Sequence, residues 1–146
     1  MKLNLKLQPQ ILCFTSILFL TGVYFFIIKI QNQVQFQPPE YFLATLLIIC
    51  TIVSVLFWSN PIKDSQMHKI DRLVARITIT SFILYMLFYK NNSLKHLYFY
   101  LFLILAIAIA FYASHYYSSR EWISNKHILS HGLAHILGII GICYAF

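Results

Sequence analysis

The sequence predicts an all-α integral membrane protein, a single bundle of about five transmembrane helices. Three observations carry that expectation. Of 146 residues, 60% are hydrophobic and only 10% are charged, where a soluble domain carries roughly a quarter. The mean hydropathy is +0.72. The apolar residues also fall into five stretches, each near the roughly 20 residues needed to cross a bilayer. With ends uncertain by a few positions these are 11–30, 41–59, 70–89, 95–114 and 128–146.

The first stretch follows a basic start, Lys2 and Lys6. It is as long as a true span and no small-residue cleavage site follows it, so it reads as an uncleaved first helix rather than a signal peptide. Gln37-Pro38-Pro39 separates the first and second spans, Asn60-Pro61 ends the second, and Asn91-Asn92-Ser93 separates the third and fourth. The segment 115–127 is polar and aromatic, which is the composition of an interfacial loop. The bundle fills the chain and leaves no room for a separate soluble domain.

The net charge of +7 is not a nucleic-acid footprint. Its basic residues stand singly beside apolar spans, where they set topology and meet lipid headgroups. Lys2, Lys6, Lys63, Lys69, Arg72, Arg76, Arg120 and Lys126 fall on one side of the predicted membrane, and Lys29, Lys90 and Lys95 on the other. That imbalance places the N-terminus in the cytoplasm and the C-terminus outside. Cys13, Cys50 and Cys143 are far apart in apolar segments with no CxxC pair. They read as small hydrophobic fillers. Asn91-Asn92-Ser93 is a formal glycosylation sequon in a loop that hugs the membrane.

Alternation of the spans brings the end of the second, the start of the third, the end of the fourth and the start of the fifth to one face. Ser54, Ser59, His68, Asp71, His115, His127, His131 and His135 occupy those places. Only His96, of six histidines, lies opposite. Ionisable side chains within a bilayer are costly and mark candidate sites. His131 and His135, one helical turn apart, can present two imidazoles to a single ion, and zinc suits imidazole and oxygen donors. The other reading is an interhelical hydrogen-bonding pair. His127 continues the same face and reads either as a further ligand or as a wet interfacial histidine.

Asp71, early in the third span, reads as a general base or as a carboxylate orienting a histidine. The alternative is a helix-start charge favoured by the macrodipole and neutralised by Arg72, with Arg76 deeper in the helix as a further partner. Ser54 reads as a hydroxyl donor to a substrate carbonyl, or as a serine bonded back to its own helix.

Taken in order, Ser54, Asp71 and His131-x-x-x-His135 resemble a superfamily of membrane hydrolases that includes the alkaline ceramidases, the progestin and adipoQ receptors and the GPI-anchor lipid-remodelling proteins. Phe57-Trp58-Ser59-Asn60-Pro61 through His68-Lys69-Ile70-Asp71-Arg72-Leu73 looks like the turn between two of its helices, and His131-Gly-Leu-Ala-His135-Ile-Leu-Gly like its last helix. The resemblance covers about residues 50–76 and 127–141. It implies a zinc held by histidines, an aspartate that engages the zinc-bound water and a nearby serine. The inferred orientation is similar to that of the adiponectin-receptor branch.

Two departures stand out. The family has a zinc histidine four residues after the serine, where this chain has Trp58, and it usually has seven spans rather than five. Losing two helices preserves the parity that gathers the motifs. Either His68, His115 or His127 then stands in for the missing ligand, or zinc has two protein nitrogens with Asp71 as the further donor and a lower affinity.

Three functions follow as expectations. The first is a zinc-dependent intramembrane hydrolase cleaving an amide or ester bond of a membrane lipid. In it, His131 and His135 are ligands, Asp71 is the base and Ser54 the carbonyl donor. The second is a non-catalytic small membrane protein, a degenerate relative without its metal, for which Trp58 is the support. The third is a bis-histidine haem carrier using His115 opposite His131 or His135.

Overall fold

A computed structural model describes residues 7–32, 38–90 and 93–146. Lys2, Lys6, Gln37, Asn91 and Asn92, which entered the topology and linker expectations, lie outside the described residues. The described residues form helices α1 (Gln10–Ile17), α2 (Leu20–Gln31), α3 (Pro38–Ser59), α4 (Gln66–Phe88), α5 (Leu94–Arg120) and α6 (Asn125–Ala145). The chain is all-helical and reads as a multi-pass membrane protein. Four of its helices, α1 and α2 counted together over Gln10–Gln31, are long and apolar enough to cross a bilayer.

The apolar surface confirms the solvent these helices were built for. Phe14, Leu56, Phe102 and Leu129 are each more than half exposed, and they sit on four different helices. Water would penalise such outward apolar faces, whereas lipid does not. The remaining helix, α4, differs. Lys69, Asp71, Arg72 and Arg76 occupy its first half, so its apolar run is confined to the second.

The first span is one helix with a flaw. Phe19, Thr21 and Gly22 donate their backbone N–H to the carbonyl three residues back rather than four, a 3₁₀ turn between α1 and α2. Its cause is local. Thr15 and Ser16 both hydrogen-bond the Leu12 carbonyl through their hydroxyls, and Thr21 bonds that of Leu18. Such back-bonding bends helices.

Several boundaries differ from the sequence expectation. Pro38 and Pro39 lie in the first turn of α3, where a missing N–H costs nothing. The stretch 115–127 is mostly helical rather than a loop. α5 runs on to Arg120, and α6 begins at Asn125. Serines 118 and 119 bond back to the carbonyls of His115 and Tyr116, and Arg120 lies over the Tyr116 ring at 4.4 Å. These contacts carry the helix beyond its apolar part.

Packing follows the order α5, α6, the α1–α2 span, α3 and α4. The bundle is therefore a ring that does not close. α4 and α5, consecutive in sequence, barely touch. At the end away from the histidines, Leu43, Leu47, Phe82, Tyr85, Met86 and Ile142 form an apolar core. There the buried Glu40 carboxylate accepts hydrogen bonds from Lys29 Nζ and Tyr85 Oη. Lys90 Nζ donates to the Tyr144 and Ala145 carbonyls at 2.9 and 2.6 Å, satisfying the end of α6. His96 sits at this end, bonded to Ser93 at 3.1 Å. The second core, around Leu12, Phe57, Trp58 and Ile128, lies beside the histidines.

Candidate functional site

The open ring surrounds a cavity of about 700 Å³. Its lining includes Ser54, His68, Asp71, His115, His127, His131 and His135. Every residue expected to share the histidine face is therefore present except Ser59, whose exposed hydroxyl bonds the Leu56 carbonyl of its own helix. His115 is exposed and lies at the rim.

Ser54 and Asp71 are both buried, and Ser54 Oγ donates to Asp71 Oδ1 at 2.5 Å. A serine bonded back to its own helix would not reach that carboxylate. Nor does Asp71 form an ion pair with Arg72 or Arg76 among the described residues. Its partner is a neutral hydroxyl from the adjacent helix.

The two inner histidines are held in a common way. His131 Nδ1 meets Ser114 Oγ of α5 at 3.0 Å, and His135 Nδ1 meets Thr15 Oγ1 of α1 at 2.8 Å. Their ring centroids are 4.8 Å apart. Thr15 Oγ1 also lies 3.1 Å from the Leu12 carbonyl. Where its single hydrogen goes to that carbonyl, His135 donates from Nδ1 and keeps its lone pair on Nε2; where it goes to His135, Nδ1 accepts and the ring proton lies on Nε2. Among the described residues Nε2 of neither ring has a protein partner.

His68 and His127 are held in the opposite sense. Each is the third residue of its helix, after the N-caps Ser65 and Ser124, whose hydroxyls accept the backbone N–H of His68 and His127 at 3.1 and 3.3 Å. Each imidazole reaches back, and its Nδ1 accepts a backbone N–H, from Asp64 at 2.9 Å and from Ile123 at 3.3 Å. This is a variant of the capping box in which histidine replaces glutamate and accepts the N–H one residue before the N-cap rather than that of the N-cap itself. The residues before the caps, Asp64 and Ile123, have φ of 61° and 62°. Left-handed backbone at a β-branched residue is strained, so the second cap is held at some cost. Nδ1 acceptance leaves the ring proton of both histidines on Nε2. They are hydrogen-bond donors toward the cavity, not lone-pair donors. His127 is also buried rather than wet.

Between these groups lies an aromatic cluster. Trp58 is 1% exposed and its ring lies 4.8 Å from that of His131 and 6.2 Å, nearly parallel, from Trp122. His68 stacks on Phe57 at 4.9 Å. Among the described residues the buried indole N–H of Trp58 has no hydrogen-bond partner, an uncommon and costly state. Trp122 Nε1, by contrast, donates to the Pro61 carbonyl at 3.2 Å.

For zinc this donor set is half complete. His131 and His135 fit, since anchoring of one ring nitrogen by a hydrogen bond is the usual support for metal ligation by the other. Among the described residues no three His, Cys, Asp or Glu side chains are grouped to share an ion. For bis-histidine haem, exposed His115 at the rim is a poor match for buried His135.

Sequence reasoning missed Thr15, Ser114, Trp122 and the paired caps. The repeated Ser-x-x-His spacing at 65–68 and 124–127 was a usable signal for the caps. No local signal marked Thr15 or Ser114. No protein-family model, curated protein or solved structure matches this chain.

Proposed function

We propose that the chain is a zinc-dependent intramembrane hydrolase that cleaves an amide or ester bond of a lipid. The observation that carries the reading is the pairing of His131 and His135, anchored at Nδ1 by hydroxyls from two different helices, in the same cavity as the buried Ser54–Asp71 pair. Five spans with a cytoplasmic N-terminus, favoured by the excess of Lys and Arg on one side, put this polar end of the cavity at the cytoplasmic face.

His131 and His135 would hold the ion through Nε2, leaving its other positions to water and substrate. Zinc there would polarise a scissile carbonyl and bring the pKa of water near neutrality. Asp71 would take the proton of the attacking water and return it to the leaving amine or alcohol. Ser54, bonded to Asp71, fixes the orientation of that carboxylate and offers its hydroxyl to the developing oxyanion as the proton arrives. The Nε2–H groups of His68 and His127 are further donors toward the lipid head. The gap between α4 and α5 admits the acyl chain from the bilayer.

Elemental analysis of detergent-purified protein tests this directly. About one zinc per chain is expected in the wild type and none in the His131→Ala/His135→Ala double variant. Fatty acid release from a panel of acyl lipids should be abolished by chelation. Metal-free wild type indifferent to chelators would end the zinc reading. It would leave the second one, a non-catalytic membrane protein with a degenerate site, which is favoured by Trp58 and by the missing third ligand.

The anchoring hydroxyl makes a separate prediction. Thr15→Val removes the hydroxyl that anchors His135 Nδ1 and should weaken zinc about 10- to 100-fold, with Thr15→Ser restoring it. Chelator-competition titration reads the affinity without any assay of turnover. Equal affinities for Thr15→Val and wild type would mean that this hydrogen bond serves only to pack α1 on α6.

A further inference from the structure

The cavity is amphiphilic along its length. On α4, His68, Arg72 and Arg76 recur every fourth residue, and on α6 His127, His131 and His135 do the same. Both stripes line the cavity, with Lys63 at its rim. Beyond Arg76 and His135 the lining turns apolar, to Ile79, Phe82 and Ile83 on α4 and Gly138 and Ile142 on α6. A basic end thus passes abruptly into a hydrocarbon-like one, beside the gap between α4 and α5.

The arginines lack counter-charges. Among the described residues neither Arg72 nor Arg76 forms an ion pair, and Lys63 Nζ reaches only the Ser118 carbonyl, at 3.4 Å. Two carboxylates line the same cavity. Asp71 is engaged by Ser54, and Asp64, with its side chain 74% exposed, lies 3.9 Å from His68 Nδ1. Arg76 stands ten residues into α4, about 15 Å along it at 1.5 Å per residue. Both arginines are exposed, and on the five-span reading an arginine at that depth calls for a partner.

We infer that the cavity takes an anionic, phosphate-bearing lipid from the bilayer, its phosphate between Arg72 and Arg76 and its acyl chain along α4 and α5. Guanidinium groups suit phosphate because their planar donors pair with two oxygens at once. The inference names the substrate class of the hydrolase proposed above. Binding itself needs neither zinc nor turnover.

The test is equilibrium binding to the full chain in neutral detergent micelles. Phosphatidic acid is compared with diacylglycerol of the same acyl chains, and inorganic phosphate alone is a third probe. Wild type is expected to prefer phosphatidic acid by at least about tenfold, a factor one strong charge-assisted contact supplies. Arg72→Gln/Arg76→Gln should erase the preference. Lys69→Gln removes a third exposed cation of the same helix, one that unlike Arg72 and Arg76 does not line the cavity, and should keep it. Ala108→Trp, which fills the α5 wall, should weaken both lipids. His131→Ala/His135→Ala should retain the preference, so that loss of zinc and failure of lipid recognition are read separately. Equal binding of the two lipids by wild type overturns the inference, whatever the variants do. A loss in Lys69→Gln as large as in the arginine variant overturns it in favour of general attraction to headgroups. Inorganic phosphate binding as tightly as phosphatidic acid overturns the lipid source.

Discussion

If the chain is the zinc hydrolase proposed above, Asp71→Asn should lower lipid hydrolysis by about 10²- to 10⁴-fold, the range a positioned general base contributes, while zinc content stays at the wild-type level. The substitution is nearly isosteric, and the amide oxygen can still accept from Ser54 Oγ, which now lies 2.5 Å from Asp71 Oδ1. What it removes is the ability to take a proton. Initial rates of fatty acid release, measured beside elemental zinc on the same preparations, separate this from loss of the site. Ser54→Ala should fall between wild type and Asp71→Asn, because the carboxylate survives without the donor that orients it. An Asp71→Asn enzyme as fast as wild type would reduce Asp71 to a charge near the start of α4, favoured by the helix dipole. The Ser54 contact would then be interhelical glue.

The parts of this site that were legible from sequence are those fixed by helix parity and by spacing along one helix. Ser54, Asp71, His131 and His135 had to share a face once the spans were placed, because each short linker reverses the chain. The cavity gathers all four. What spacing cannot encode is which helices touch. Thr15 reaches His135 across 120 residues because α1 packs against α6, and nothing in the segment around Thr15 marks it as that partner. The gap between α4 and α5 is invisible for the same reason. A short linker predicts that adjacent helices pack, and here they barely touch.

The stretch 115–127 was misread for a different reason. Its Ser, Tyr and Arg residues have the composition of a loop, yet nothing in it breaks a helix before Glu121, and hydroxyl-to-carbonyl bonds can satisfy groups outside the bilayer. His68 and His127 show the limit of motif reading. A capping box is sought as Ser-x-x-Glu, and histidine at the third position does the same work while looking like a ligand.

Trp58 is the residue on which catalytic and degenerate readings divide, and Trp58→His should tighten zinc by at least about tenfold, ~1.4 kcal/mol. It lies one turn after Ser54 and its ring packs 4.8 Å from that of His131, so an imidazole there approaches the existing pair. Replacing the buried indole empties volume between α3 and α6, and the metal-free variant is expected to lose about 3 kcal/mol of stability. Removal of an indole N–H that has no partner offsets part of that loss. The opposing effects can be told apart by thermal unfolding with and without zinc. Metal that binds only the folded state raises Tm in proportion to its affinity, so the zinc-induced increase should be larger in Trp58→His than in wild type. If wild type binds no zinc and Trp58→His binds one per chain, Trp58 is what closed the site, and the native protein is a lipid-binding relative of a hydrolase. If both bind, with the variant tighter, the two-histidine centre is functional and trades affinity for an open coordination position. If the variant gains nothing, Trp58 lies outside any donor shell. Its buried N–H would then be a cost of the stacked Trp58–Trp122 wall that closes this end of the cavity.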